Sequence, residues 1–320
     1  MAKLSIIIPC YFNEKNIPVT AKELIENEKL FPAELTFEYI LVDDGSGDGT
    51  LKEILAFKKD YPEKVIAIKL AGNVGSYNAV VAGMEHATGD CTVVIAADLQ
   101  DPPELMVKMY EYWKQGFKLV IGNRQDRQES ASQKFLSNTF HWIMKKIALK
   151  NIPDGGFDYV LFDKQIREKL LTMMEHNSNV FYLMTWMGYN YVNIPYNRKK
   201  REIGDSKWTI QKKIKLLIDS ILSFSFFPIR AISVIGIILG IIAFLYGVYL
   251  IILRMLGNIE VEGWTALMVV LLFVSSFQMI GLGILGEYIW RGLDASRKRP
   301  LYVVDEVYKE PFLTRYILIK

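Results

Sequence analysis

Cys91-Thr92-Val93-Val94-Ile95-Ala96-Ala97-Asp98-Leu99-Gln100-Asp101-Pro102-Pro103-Glu104 is the stretch on which the reading of this chain turns. Cys91 to Ala97 is uncharged and rich in β-branched residues, and Gly89-Asp90 stands before it, so it predicts a buried strand. Asp98 and Gln100 follow at the strand's C-terminal end, where open α/β sheets bind their ligands. A carboxylate and a carboxamide are hard oxygen donors, suited to Mg²⁺ or Mn²⁺ shared with substrate phosphates. Pro102-Pro103 then opens a helix, because proline is tolerated in a first turn.

The same pattern extends to both sides. Strand candidates Leu4–Cys10, Phe37–Asp43, Val65–Leu70, Thr92–Ala97 and Leu119–Ile121 alternate with helical stretches near Asn16–Lys29, Thr50–Lys59, Ser76–Ala87 and Glu104–Gln115. This alternation predicts an α/β fold with a doubly wound, mostly parallel sheet. Polar clusters close the strands: Pro9-Cys10-Tyr11-Phe12-Asn13-Glu14, then Asp43-Asp44-Gly45-Ser46-Gly47-Asp48, then Asn73-Val74-Gly75, then Asp98-Leu99-Gln100. No glycine-rich phosphate loop follows the first strand. Acids in such places repel bare phosphate, so they suit ribose hydroxyls, a base edge, or a cation bridging to phosphate.

The 320 residues suggest one domain of about 200 residues and a further part. A net charge of +3 is too weak to argue for a nucleic-acid partner. Cys10 and Cys91 lie in apolar strands and read as buried hydrophobes of a reducing compartment. Near the C-terminus Ala231–Leu253 and Thr265–Gly286 carry no charge and are long enough to cross a bilayer core of about 30 Å. Lys212, Lys213, Lys215 and Arg230 precede this pair, and Arg291, Arg297, Lys298 and Arg299 follow it. The short connector has Arg254 against Glu260 and Glu262, so the positive-inside rule puts both outer ends in the cytoplasm. The expected layout is a cytosolic catalytic domain over 1–207 and an interfacial amphipathic helix over 208–228. A transmembrane hairpin over 229–290 follows, with spans 231–253 and 265–289, then a cytosolic tail over 291–320. Glu287, at membrane depth, is expected to pair with Arg291 or Arg230.

The quoted clusters resemble the GT-A glycosyltransferases of family 2, which take sugar from a nucleotide diphosphate. Further stretches narrow the resemblance to polyprenyl-phosphate glycosyltransferases, the group of dolichyl-phosphate mannose synthase and the bactoprenol glucosyltransferases. They are Gly156-Phe157-Asp158, Tyr196-x-Arg198-x-x-Arg201-x-x-Gly204-x-Ser206-Lys207-Trp208, Gly286-Glu287-Tyr288 and Arg299-Pro300. The likeness spans nearly the whole chain. It departs in two ways: Ala96 stands where the family's first metal-motif Asp is usual, and the arginines often found after Asn73 and Asp158 are missing.

The resemblance implies donor contacts at Pro9, Tyr11, Glu14, Asp43, Asp44, Ser46, Asn73, Gly75 and Asp98, and Mg²⁺ or Mn²⁺ at Asp98 and Gln100. Arg124 and Arg127 follow a strand end, and with Arg198, Arg201 and Lys207 they form a cationic set suited to phosphate. Ser206 joins them through the motif. Asp98 and Asp158 are the expected catalytic residues, Asp158 by orienting the acceptor. The implied reaction moves one sugar, glucose first and N-acetylglucosamine second, from a UDP-sugar to undecaprenyl phosphate with inversion, at the plasma membrane. The implied assembly is a homotetramer. A processive polysaccharide synthase would need Gln-x-x-Arg-Trp and more spans, which this sequence lacks. A non-catalytic membrane regulator is the remaining rival, kept open by Ala96.

Overall fold

A computed structural model of the chain describes residues 1–124, 139, 142–149, 152–153, 157–199, 210–256 and 263–309. Its centre is an eight-stranded sheet in the order β7-β5-β6-β4-β1-β2-β3-β8. The strands are β1 Lys3–Cys10, β2 Thr36–Asp43, β3 Val65–Leu70, β4 Cys91–Val94, β5 Leu119–Arg124, β6 Val160–Asp163, β7 Tyr191–Tyr196 and β8 Val304–Tyr308. Pairings β1/β2, β2/β3, β1/β4 and β5/β7 are parallel, whereas β4/β6, β5/β6 and β3/β8 are antiparallel. The sheet is therefore mixed, and the expectation of mostly parallel pairing holds for the N-terminal strands.

Helices α1 Ile17–Asn27, α2 Thr50–Asp60, α3 Ser76–His86, α4 Leu105–Lys114, α5 Lys164–Met173 and α6 Val180–Trp186 cover the faces. Burial on both faces explains the continuous apolar runs of the central strands. Ile7, Ile40, Val42 and Ile68 pack to one side, while Ile6, Ile8, Tyr39 and Leu41 pack to the other. Helix α3 lies so close to the first face that a Cβ on Gly83 would stand 2.6 Å from Ile7 Cγ2. Cys10 and Cys91 are buried and free, as expected.

Sheet order reverses beside β1, which has β2 on one side and β4 on the other. The crevice at such a switch point receives the strand C-termini. Here those are the loops after Cys10, Asp43 and Val94.

Three further helices follow: α7 Ile210–Phe224, α8 Phe227–Met255 and α9 Trp264–Arg297. Helix α7 turns Leu217, Ile221 and Phe224 to the domain and leaves Ile214 and Ile218 exposed. The apolar stretches Phe227–Leu250 and Ala266–Arg297 are long enough to cross a membrane, and only 0% and 6% of their most apolar windows are buried. They are not core helices of this domain. Helix α8 starts before the expected residue 231, because Phe227 and Pro228 fill its first turn.

With 34 residues α9 is about 51 Å long, well beyond a bilayer core, so its last turns reach the domain. There Arg291 pairs with Asp219 of α7 at 2.6 Å, and Tyr288 donates to the Ser225 carbonyl at 2.9 Å. Arg291, one of the two partners expected for Glu287, is turned to Asp219 instead. The segment read as a tail also differs. After α9 the chain returns to the sheet as β8, where Lys69 meets Asp305 at 2.5 Å and Ala71 N–H donates to the Val303 carbonyl at 2.9 Å.

Candidate active site

On the β1–β3 side of the crevice, the acids are turned onto their own loops. Asp44 is 2% exposed, and its carboxylate accepts from Val74 N at 2.7 Å, Gly75 N at 3.0 Å and Asn73 Nδ2 at 2.9 Å. Asn73 and Gly75, both expected at the donor, are thereby clamped to the end of β2. Burial pushes the Asp44 carboxyl up to about 6, against the pull of those backbone N–H groups. Asp43 is buried too, which raises its pKa, and it accepts from Ser46 N at 3.1 Å. Between them Gly45 has φ +66°, and a Cβ there would lie 2.7 Å from the Gly72 carbonyl carbon. Only glycine lets the two loops approach so closely.

The loop after β1 is tied to the same region. Phe12 N–H donates to Ser46 Oγ at 3.1 Å, Asn13 N–H to Thr50 Oγ1 at 2.8 Å, and Gly49 N–H to the Glu14 carboxylate at 3.2 Å. Tyr11 N–H donates to Asn13 Oδ1 at 2.8 Å, and the Tyr11 ring meets Phe12 edge-on at 4.7 Å. Pro9 sits within β1, opposite Val42. Tyr11, Glu14, Asp43, Asp44, Ser46, Asn73 and Gly75 are thus one connected rim.

Asp98 and Gln100 flank Leu99, whose φ of +51° turns the chain so that Gln100 N–H reaches the Asp98 carboxylate at 3.3 Å. Such a conformation is uncommon for a leucine. Gln100 is bonded at both ends to Lys199: Lys199 N–H donates to the Gln100 carbonyl at 2.9 Å, and Gln100 Nε2 donates to the Lys199 carbonyl at 3.3 Å. That use of Nε2 leaves Oε1 as the side chain's metal-type donor. Among the described residues no three His, Cys, Asp or Glu side chains cluster for a metal. The donor set fits Mg²⁺ or Mn²⁺ held by one carboxylate and completed by a diphosphate, because Mg²⁺ usually binds through one or two carboxylates plus substrate phosphates.

The β5–β7 side is built from ion pairs. Parallel register sets Arg124 opposite Tyr196, and antiparallel pairing brings the start of β6 to the end of β5. The Arg124 guanidinium therefore bonds the Asp158 carboxylate, and its Nε donates to Tyr196 Oη at 3.1 Å. Asp101, 1% exposed, accepts from Tyr196 Oη at 2.5 Å and faces Arg198 Nε at 3.3 Å and Arg124 Nε at 3.8 Å. Desolvation would raise the Asp158 pKa, but Arg124 and Arg198 hold it below the usual carboxylate range. Burial and the neighbouring Asp158 push Asp101 upward instead.

Residues 5–166 match the family model for glycosyl transferase family 2. The chain belongs to this family. It is 34% identical over 310 residues, 96% of this chain and 100% of the relative, to a prophage bactoprenol glucosyl transferase homolog of Escherichia coli. It is 32% identical over 97% of each chain to an uncharacterised glycosyltransferase of Synechocystis. It is 30% identical over 97% of this chain and 94% of the relative to an undecaprenyl-phosphate 4-deoxy-4-formamido-L-arabinose transferase of Klebsiella pneumoniae. The protein is a glycosyltransferase.

In this family 2 glycosyltransferase, Arg124 and Arg198 of the expected acceptor-phosphate set come together with Asp158, one of the two expected catalytic residues, and the Asp98 loop is bonded to the segment after β7. Arg127, Arg201, Ser206 and Lys207 lie outside the described residues. Sequence reasoning missed Asp101 and Tyr196, although both fall inside quoted motifs. The signal available was Tyr196 two residues before Arg198, which puts both side chains at one strand end.

Proposed function

We propose that this glycosyltransferase moves a single sugar, glucose first among candidates, from a UDP-sugar to the phosphate of undecaprenyl or another polyprenyl phosphate, with inversion at the anomeric carbon. The observation that carries the reading is the return of the chain from α9 into the sheet as β8. An apolar hairpin held at both ends by the catalytic domain keeps the crevice beside a bilayer, where a lipid-borne acceptor resides. Relatives matching along domain and hairpin alike, and named for bactoprenol and undecaprenyl phosphate, support the same acceptor class. Both helix ends meeting one domain, together with the basic flanks, support a cytoplasmic catalytic face. Ile214 and Ile218 on the outer side of α7 suit an interfacial helix.

The residues divide the work. Asp43, Asp44, Ser46, Asn73 and Gly75, with the Pro9–Glu14 loop, form the nucleotide rim. Asp98, helped by Gln100, would hold Mg²⁺ or Mn²⁺, which when bound offsets the charge of the departing diphosphate. Arg198, Arg124 and the basic residues 127, 201 and 207 receive the acceptor phosphate, and Ser206 has the same expected role. A phosphate monoester is already largely dianionic near pH 7, since its second pKa is about 6. It needs little deprotonation, and an Asp158 held below the usual carboxylate range suits orienting the nucleophile better than taking its proton.

The test incubates the purified enzyme with radiolabelled UDP-glucose, undecaprenyl phosphate and Mg²⁺ or Mn²⁺, then extracts lipid. A single-sugar lipid is expected. Polymer, or no labelled lipid with any of a panel of nucleotide sugars, refutes the proposal. For topology, cysteine placed at Asn258 should react with an impermeant thiol reagent in intact cells and cysteine at Ser130 should not; the reverse labelling overturns the orientation.

A further inference from the structure

Asp101 has no role in the division of work above, yet its carboxylate is shared by three functional groups of the acceptor side. It accepts from Tyr196 Oη at 2.5 Å and lies 3.3 Å from Arg198 Nε and 3.8 Å from Arg124 Nε. The ordinary duty of an acid before a helix is capping, but the N-cap of α4 is Glu104, three residues on. Two guanidinium groups converging on one buried point repel each other and need a shared counter-ion. In both arginines the Nε side faces Asp101: the Arg124 Nε–H goes to the Tyr196 hydroxyl that Asp101 also holds, and the Arg198 Nε meets the carboxylate as a charge contact rather than a hydrogen bond. A planar guanidinium whose Nε side is turned to one anion keeps its terminal Nη edge for a second. For Arg124 that second anion is visible, because Nη2 bonds Asp158.

We propose that Asp101 is a positioning residue of the acceptor site. It holds Arg124 and Arg198 by its charge on their Nε side, Arg124 also through the shared Tyr196 hydroxyl, so that Arg124 steers Asp158 and Arg198 offers its Nη edge to a phosphate monoester. Tyr196 holds Asp101 in register. Its ring stands edge-on to Tyr159 at 5.8 Å, and the Tyr159 hydroxyl donates to the Pro102 carbonyl at 2.9 Å. The lattice thereby closes back on the loop that carries Asp98 and Gln100. This inference rests on the reading of the acceptor as a lipid-borne phosphate.

The experiment measures initial rates of the full-length enzyme with UDP-glucose and undecaprenyl phosphate, alongside UDP binding by calorimetry. Asp101→Asn keeps the shape and removes the charge. It should raise the KM for undecaprenyl phosphate roughly 10- to 100-fold, the loss typical when an outer partner of a binding side chain is removed, with UDP affinity unchanged. Arg198→Lys, which lacks the fork, should show the same split. In the Arg198→Lys background, Asp101→Asn should cost much less than it does alone, because one residue acts through the other. Additive losses, an unchanged lipid KM, or equal losses for UDP and lipid overturn the proposal. If Asp101→Asn fails to fold, Tyr196→Phe is the substitute, expected to raise the lipid KM alone, and an unchanged KM there overturns the proposal equally. A wild-type enzyme that transfers nothing to undecaprenyl phosphate refutes the acceptor reading itself, and the proposal with it.

Discussion

On the β1–β3 side of the crevice, acids are engaged by backbone N–H groups; on the β5–β7 side, they are engaged by arginines. Asp44 and Glu14 tie neighbouring loops together, whereas Asp101 and Asp158 balance Arg124 and Arg198. The first arrangement makes a shaped rim whose charge is absorbed by peptide dipoles. The second makes a neutral lattice of opposite charges. Substitutions on the two sides should therefore separate donor effects from acceptor effects.

The largest effect is expected at the loop between the two sides. Asp98→Ala should abolish sugar transfer at every Mg²⁺ or Mn²⁺ concentration, and Gln100→Ala should only raise the metal concentration needed; metal titrations of initial rate check both. Near-normal metal-dependent transfer by Asp98→Ala would remove this residue from the metal site.

Next come the arginines. Removing one partner of a desolvated charge pair costs roughly 2–5 kcal/mol. Arg124→Ala or Arg198→Ala should thus raise the KM for polyprenyl phosphate steeply while nucleotide binding stays near normal. Loss of nucleotide binding with lipid affinity intact would break the division between the two sides.

Asp158→Asn should lower kcat by roughly 100-fold, the scale of a misplaced reacting group. That deficit should be constant across pH 6 to 9. A deficit that shrinks as the acceptor phosphate deprotonates would make Asp158 a base instead.

The smallest effect, and one confined to the nucleotide side, is expected at Asp44. Asp44→Asn presents an amide N–H to backbone donors and should weaken UDP binding by about 1–3 kcal/mol, read by calorimetry. With its carboxyl pushed up to about 6, wild-type UDP affinity should fall as pH drops through 6, because a protonated Asp44 gives up an acceptor. Stability moves the other way. A folded pKa above the unfolded value near 3.9 means the folded protein binds this proton more tightly, so Asp44's contribution is lost as pH rises from about 4 through 6. Chemical denaturation of wild type and Asp44→Asn across that range checks the sign.

Strands β1 to β5 were legible because each is an apolar, β-branched run closed by turn residues. Strand β6 was not, because its apolar run is only Tyr159-Val160-Leu161-Phe162 against the longer Cys91 to Ala97 run around β4, and β8 was hidden by Asp305 and Glu306 in a five-residue edge strand. Charged residues suit such an edge, but they erase the hydrophobic pattern. Asp98 and Gln100 stood out from position alone, since a strand's C-terminal end is a local property. The Asp44 clamp and the Arg124–Asp158 pair were illegible, because both depend on which strands lie side by side. Antiparallel β6, inserted between β4 and β5, is the element that unites Arg124 and Asp158.

Strand β8 also sets an order of events during synthesis. Asp305, which grips Lys69, lies 236 residues further along the chain, beyond both apolar helices. The sheet's last edge is therefore laid down only after the hairpin has left the ribosome, and until then β3 presents unpaired peptide groups to its surroundings. Both apolar helices are thus made before the catalytic sheet is finished.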